Sequence, residues 1–96
     1  MSYSIMQSSA ITIPANTSYW GTLPLNGGSV LSVGLDNENF TTKVYPTQLF
    51  VSNFNSVFFQ VDNLNDFEVT TRIWVVADGQ VTFGAVYLEG STPVSI

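Results

Sequence analysis

The chain of 96 residues contains no cysteine and no histidine. Their absence excludes disulfides, the Ser-His-Asp and Cys-His arrangements of nucleophilic catalysis, and the usual zinc sites. The glycine-rich G-x-x-x-x-G-K and G-x-G-x-x-G motifs of nucleotide binding are missing as well. Two carboxylate pairs remain, Asp36 with Glu38 and Asp62 with Asp66. A chain this short leaves little room for the cleft that a glycosidase builds between such a pair, so we expect a protein that is not an enzyme and has no cofactor.

The chain also has little charge, and almost none of it is positive. Charged residues make up 9% of the sequence, whereas typical soluble domains carry about 25%. Lys43 and Arg72 are the two basic residues, and the net charge is −5. A protein that binds nucleic acid needs a set of cations to displace counterions from phosphates, and an anionic membrane surface makes a similar demand. We therefore expect neither nucleic acid nor a membrane as a partner.

Targeting and membrane-spanning segments are not evident in the sequence. The opening residues, MSYSIM, lack the positively charged and apolar regions of a secretory signal. No apolar run approaches the length of about 18 residues that a membrane span needs. We expect the chain to be synthesised in a cytoplasm without a signal peptide.

What the sequence does contain is an excess of β-forming residues. Val, Ile, Thr, Tyr, Phe and Trp make up roughly two fifths of the chain, which favours strands. No window has the spacing of an amphipathic helix. Short β-prone runs lie between turn-forming residues at 9–13, 17–23, 29–35, 40–45, 48–52, 56–61, 67–77 and 80–88. This pattern predicts an all-β fold: one compact antiparallel β-sandwich over residues 1–96, with about eight short strands, jelly-roll or Greek-key connectivity, and extended termini at 1–8 and 90–96.

The last two runs flank Asp78-Gly79, a dipeptide suited to a two-residue hairpin turn. In the hairpin that this turn predicts, Trp74 faces Phe83, and both faces are largely apolar. One face carries β-branched side chains such as Ile73 and Val75, which are typical of a sandwich core. The other face has the composition of a protein interface. Its interface candidates are Arg72, Trp74, Val76, Val81, Phe83 and Tyr87.

Two further segments place three large apolar residues in succession, Leu49-Phe50-Val51 and Val57-Phe58-Phe59. Because side chains alternate along a strand, three consecutive residues cannot all point into one core. Either an edge bulge turns one of them inward, or a second molecule covers the outer face.

The segment Asp62-Asn63-Leu64-Asn65-Asp66 carries side-chain oxygens at alternate positions, as some calcium loops do. Asp62 and Asp66 are therefore calcium candidates. The alternative is a solvated turn rich in Asn and Asp, because the remaining positions of an EF-hand loop are missing.

In length, composition and strand rhythm, the whole chain resembles the small all-β proteins of bacteriophage virions, and head decoration (cement) proteins in particular. The resemblance implies a structural protein of the virion that is synthesised in the host cytoplasm and stabilises the shell by burying apolar β-surface. It implies two partners, which are further copies of the chain, as a trimer or another homo-oligomer, and a larger assembly such as a major capsid protein. The extended ends could lie across neighbours as added strands.

A carbohydrate-binding module or lectin-like domain is the alternative function. β-Sandwiches accommodate such sites, and exposed aromatic rings can stack on sugars while Asn or Asp side chains bind the hydroxyl groups. The candidates for stacking are Tyr19 and Trp20, with Trp74 as a third.

Overall fold

The structure is a computed structural model that describes residues 3–36, 43–52 and 56–94. Within these ranges the chain forms nine β-strands: β1 (Tyr3–Gln7), β2 (Ile11–Ile13), β3 (Thr17–Asn26), β4 (Ser29–Asp36), β5 (Val44–Ser52), β6 (Ser56–Asn63), β7 (Val69–Asp78), β8 (Thr82–Phe83) and β9 (Tyr87–Pro93). The same ranges contain no helix, and so none that is long and apolar enough to cross a membrane. The all-β prediction is confirmed.

The strands form two antiparallel sheets that pack against each other. In the first sheet, β7 lies at the centre, with β1 and β2 along one edge and β4 along the other. In the second sheet the order is β5, β6, β3, and then β8 and β9 together along the far edge of β3. The chain passes between sheets at most connections, as in jelly-roll and Greek-key sandwiches. The predicted β-sandwich is confirmed.

The predicted hairpin about Asp78-Gly79 is wrong. β7 is already paired on both edges, by β1 and β2 on one side and by β4 on the other, so it has no edge left for β8. Gly79 instead turns the chain into the second sheet, where β8 and β9 pair with β3. A turn that needs a positive φ favours glycine whether it closes a hairpin or joins two sheets, so the local signal could not distinguish the two.

The core lies between the sheets and is built from alternate residues of the central strands. Ile73, Val75 and Ala77 of β7 have no exposed surface, which confirms the aliphatic side of this strand as core. The core residues contributed by the other elements are Ile11, Ile13, Leu23, Leu25, Val44, Val57, Phe59, Val61 and Val81. Val81 is only 2% exposed, so this interface candidate is a core residue instead.

Both predicted extended termini contain strands of the sandwich. Residues 3–7 are β1, and residues 87–93 are β9. β1 continues into β2 across a bulge that contains the buried Ser8. The Ser8 hydroxyl takes the place of a backbone acceptor and accepts a hydrogen bond of 3.0 Å from the Ile73 amide. The extra residue at this bulge lets Ile11 and Ile13 point inward. Residues 1–2 and 95–96 lie outside the described residues.

The described parts of the predicted runs 40–45 and 48–52 join into one strand, β5. Residues 40–42 lie outside the described residues. Pro46, which separates the two predicted runs in the sequence, lies within β5 next to a register shift between Pro46 and Gln48. β5 is an edge strand, and a proline without an amide hydrogen is tolerated at a bulge on an edge.

A buried amide network holds three loops of the sandwich together. Asn63 is fully buried, and its side-chain nitrogen donates to the carbonyl oxygens of Ile13, Pro14 and Phe67 at 2.9–3.1 Å. Its side-chain oxygen accepts from the backbone amide and the side-chain nitrogen of Asn65 at 3.0 and 2.8 Å. Neutral amides therefore lock the ends of β2 and β6 and the start of β7.

Replacing Asn63 with leucine should lower the free energy of unfolding by about 3 kcal/mol, because the carbonyl and amide partners of Asn63 would stay buried without hydrogen bonds. Urea denaturation followed by tryptophan fluorescence measures this change. Asn26→Leu is the matched control, since Asn26 is an exposed amide, and should change stability by less than about 0.5 kcal/mol. Equal effects of the two substitutions would show that the network contributes nothing specific.

Candidate binding faces on the two sheets

The outer face of the first sheet carries aliphatic and aromatic side chains that no other described part of the chain covers. Across the strands, Ile5 pairs with Val76, and Gln7 pairs with Trp74. Ile5 is 75% exposed and Tyr3, one pleat away on β1, is 62% exposed. We call this surface the aliphatic face; it consists of Tyr3, Ile5, Gln7, Ser32, Gly34, Asp36, Arg72, Trp74 and Val76.

Trp74 lies flat across the neighbouring strand at the centre of the aliphatic face. A Cβ atom on Gly34, its partner on β4, would come within 2.0 Å of the Trp74 ring carbon Cζ2. The ring therefore occupies the space of a side chain at position 34, and it is half-buried rather than projecting. The Trp74 ring lies against the sheet, and Ile5 and Val76 lie beside it.

Polar groups limit the aliphatic face at one end. The Gln7 amide donates to a carboxylate oxygen of Asp36 at 2.7 Å, and Arg72 donates to the backbone oxygen of Ser8 at 3.1 Å. Arg72 and Asp36, with Thr70 and Thr71, line a shallow pocket there. The face thus has an apolar centre and a polar rim, which is the anatomy of a protein interface.

The outer face of the second sheet has a different composition. Three adjacent rows of its outward positions extend across four strands, and we call the surface that these rows form the aromatic face. From β5 to β9, the rows are Tyr45, Asp62, Ser18 and Thr92; Gln48, Gln60, Trp20 and Gly90; and Phe50, Phe58, Thr22 and Tyr87. Five of these twelve residues are aromatic, one is charged and none is aliphatic.

The rings of the aromatic face lie close to the sheet. Phe50 and Phe58 are cross-strand partners whose centroids are 5.3 Å apart with an interplanar angle of 32°. Trp20 covers Gly90, where a Cβ atom would come within 2.4 Å of ring carbon Cζ2. At the two edges of the sheet, Tyr45 and Tyr87 are 52% and 65% exposed.

One buried polar atom on the aromatic face has no partner. Oδ1 of Asp62 is buried, and it makes no hydrogen bond among the residues that the structure describes. Its neighbours across the strands are Tyr45 and Ser18. The Ser18 hydroxyl already accepts a hydrogen bond of 3.2 Å from the Gln60 amide.

The predicted interface candidates do not share one surface. Arg72, Trp74 and Val76 lie on the aliphatic face, while Tyr87 lies on the aromatic face of the other sheet. Phe83 is on β8, partly buried against the core. The set is divided because β8 and β9 pair with β3 rather than with β7.

The three stacking candidates of the alternative function are also separated, and Trp74 lies on the aliphatic face of the first sheet. Tyr19 lies on the inner side of β3 and packs against the core, so its ring is not part of the outer surface. Trp20, the next residue, lies on the aromatic face. The two apolar triplets lie in regular strand, with Phe50 and Phe58 on the outer side. Val57 and Phe59 are buried and Leu49 packs against the core, while Val51 near the end of β5 is 37% exposed.

Several residues of the two faces were missed by sequence reasoning. Tyr3 and Ile5 lie in the segment predicted as an extended end, although their period-two spacing with Gln7 could have indicated a strand. Tyr45 was missed because the bulge after Pro46 breaks the alternation in β5.

The segment predicted as a calcium loop uses its amides within the chain. The Asn63 oxygen accepts two hydrogen bonds from Asn65, whose own oxygen accepts from the Lys43 amide at 3.2 Å. Asp62 lies on β6, and Asp66 is exposed in the loop that follows. Among the described residues, no group of three or more acidic side chains could hold a metal ion. Glu38 of the other carboxylate pair lies outside the described ranges.

The two outer faces are thus a polar-rimmed aliphatic surface on one sheet and an aromatic surface with neutral polar groups on the other. No protein-family model, curated protein or solved structure matches this chain.

Proposed function

We propose that this protein is a non-enzymatic structural subunit that associates with other protein molecules through its aliphatic face. The supporting observation is the exposure of Ile5 and Tyr3 on the same face as the flat Trp74 ring. Apolar side chains of this size on the outside of a sheet gain roughly 25 cal/mol per Å² when a partner removes them from water, before ordering costs.

The size of the face indicates the kind of assembly. Strand geometry gives the three-stranded surface an extent of roughly 26 Å along the strands and about 10 Å between its outer strands, or about 260 Å² of flat area. Stable pairs of proteins bury about 800 Å² on each partner. A contact through this face alone is therefore weak, and it becomes strong where several copies or a larger assembly supply additional contacts.

The low charge of the chain supports the same proposal. With 9% charged residues and 45% hydrophobic ones, the protein has fewer charged groups to desolvate than an ordinary soluble domain when copies pack together. This composition suits a subunit that is surrounded by neighbours, because apolar and neutral polar groups cost less to bury than charged ones.

The specific proposal is a virion protein of the capsid decoration type. Its partners are further copies of the chain, as a trimer or another cluster, and a major capsid protein. This proposal is supported by the resemblance in length, composition and strand rhythm, together with the exposed aliphatic face. A gene for a major capsid protein beside this one, and sedimentation of the purified protein with the corresponding shells, would support it. Failure to bind those shells at saturating concentration would contradict it.

Sedimentation velocity should show reversible self-association of the wild-type chain between about 10 μM and 1 mM. Ile5→Asp should remove this association, because it places a charge in the centre of the contact, and should leave the melting temperature nearly unchanged. Phe67→Asp is the matched control, since Phe67 is 52% exposed in the loop after β6 and belongs to neither face. A wild-type chain that stays monomeric at 1 mM, or equal effects of the two variants, would contradict the proposed contact.

The response to salts should identify the contact as apolar. Ammonium sulfate should strengthen self-association because it is excluded from protein surface, while sodium chloride up to about 0.3 M should change it little. The measurement is the weight-average sedimentation coefficient at fixed protein concentration. A steep weakening with sodium chloride would instead indicate an association held by charge.

A further inference from the structure

We propose that the aromatic face is a second binding site, separate from the aliphatic face, and that its ligand is a neutral saccharide chain. The two sites are on opposite outer surfaces of the sandwich, so this proposal does not depend on the proposed assembly function.

The arrangement of the rings matches the apolar side of a sugar. A pyranose ring has a face of C–H groups and a rim of hydroxyl groups. Trp20 lies over Gly90, and the tilted pair of Phe50 and Phe58 lies beside it on the same sheet. Such rings, held close to a sheet, offer a platform for the C–H face and lose little side-chain entropy when the ligand binds.

The polar groups among the rings match the rim of a sugar. The amides of Gln48 and Gln60 and the hydroxyl of Thr22 share the face with the rings. Amides and hydroxyls both donate and accept hydrogen bonds, as sugar hydroxyls do. The aliphatic face, by contrast, has Ile5 and Val76 at its centre, which suit a protein partner.

Oδ1 of Asp62 is an acceptor that makes no hydrogen bond among the described residues. Because this atom is buried, a ligand O–H group supplies the missing bond only where the side chains that cover it move aside. Asp62 is next to Tyr45 at the end of the aromatic rows. A sugar stacked along these rows brings hydroxyl donors to this end of the sheet.

Charge and size define the class of saccharide. The aromatic face contains one carboxylate and no Lys or Arg, so uronic acids and sulfated sugars would meet repulsion without a compensating cation. Four strands spaced about 4.8 Å apart give the face a width of about 14 Å between its outer strands. The site therefore fits an oligosaccharide of several neutral units better than a single sugar.

The first experiment uses the whole chain on a glycan array that carries both neutral and acidic glycans. We expect binding to neutral oligosaccharides and none to acidic ones, with the strongest neutral hit measured by isothermal titration calorimetry. An array that is blank for neutral glycans, or one that shows acidic glycans alone, overturns the proposal.

The second experiment uses two tyrosines of equal chemistry and similar exposure on opposite faces. Tyr87→Ala, on the aromatic face, should weaken the calorimetric affinity by about tenfold or more and leave self-association unchanged. Tyr3→Ala, on the aliphatic face, should leave the affinity for the saccharide unchanged. The two tyrosines are 65% and 62% exposed, so neither substitution should affect folding, which melting curves will check.

Asp62→Asn tests the unpartnered acceptor with almost no change of shape. We expect a loss of affinity of about tenfold, because one acceptor oxygen is replaced by a donor or a weaker acceptor. Unchanged affinity in both Tyr87→Ala and Asp62→Asn would place the saccharide elsewhere and overturn the assignment of this face. If Tyr87→Ala abolishes self-association instead, the aromatic face is a protein contact and the saccharide site is disproved.

Discussion

The pairing of β7 on both of its edges is the constraint on which the rest of the structure depends. With β1 and β2 on one side and β4 on the other, the backbone of β7 is satisfied along its length. Its inward side chains, Ile73 and Val75, are then sealed against the second sheet. The segment after Gly79 must find its partner in the other sheet, and it completes that sheet beside β3.

The outward side chains follow from the same constraint. Every strand presents alternate residues to the outside, and in this chain several of those residues are large apolar side chains, such as Ile5, Phe50 and Tyr87. Trp74 and Trp20 each lie over a glycine on the adjacent strand, Gly34 and Gly90 respectively. Large rings are thereby held flat on both sheets instead of projecting. The outer surfaces become broad platforms, one with aliphatic groups beside the ring and one with amides and hydroxyls.

The loops are held with very little charge. Asn63 and Asn65 join the ends of three elements through neutral hydrogen bonds, a task that ion pairs perform in many proteins. Neutral cross-links hold the loops without adding charged groups to the surface, which suits close packing of copies and contact with uncharged ligands. The scarcity of charge in the sequence therefore agrees with the mostly uncharged chemistry of the two faces. A face with few charges has few groups that must be desolvated when a partner arrives.

The sequence by itself determined the local properties of this protein. Strand-forming runs, the inward alternation of Ile73 and Val75, and the two-sided character of the segments around Phe50 and Phe58 all follow from residue type and a period of two. The partners of these strands could not be predicted in the same way, since Asp78-Gly79 is equally compatible with a hairpin and with a crossing between sheets. Only the tertiary structure decided that Val81 belongs to the core, that Tyr87 shares the face of Trp20 instead of that of Trp74, and that one outer face is aliphatic and the other aromatic. Side-chain alternation is a property of each strand alone, whereas pairing is decided by which distant strands together close the core.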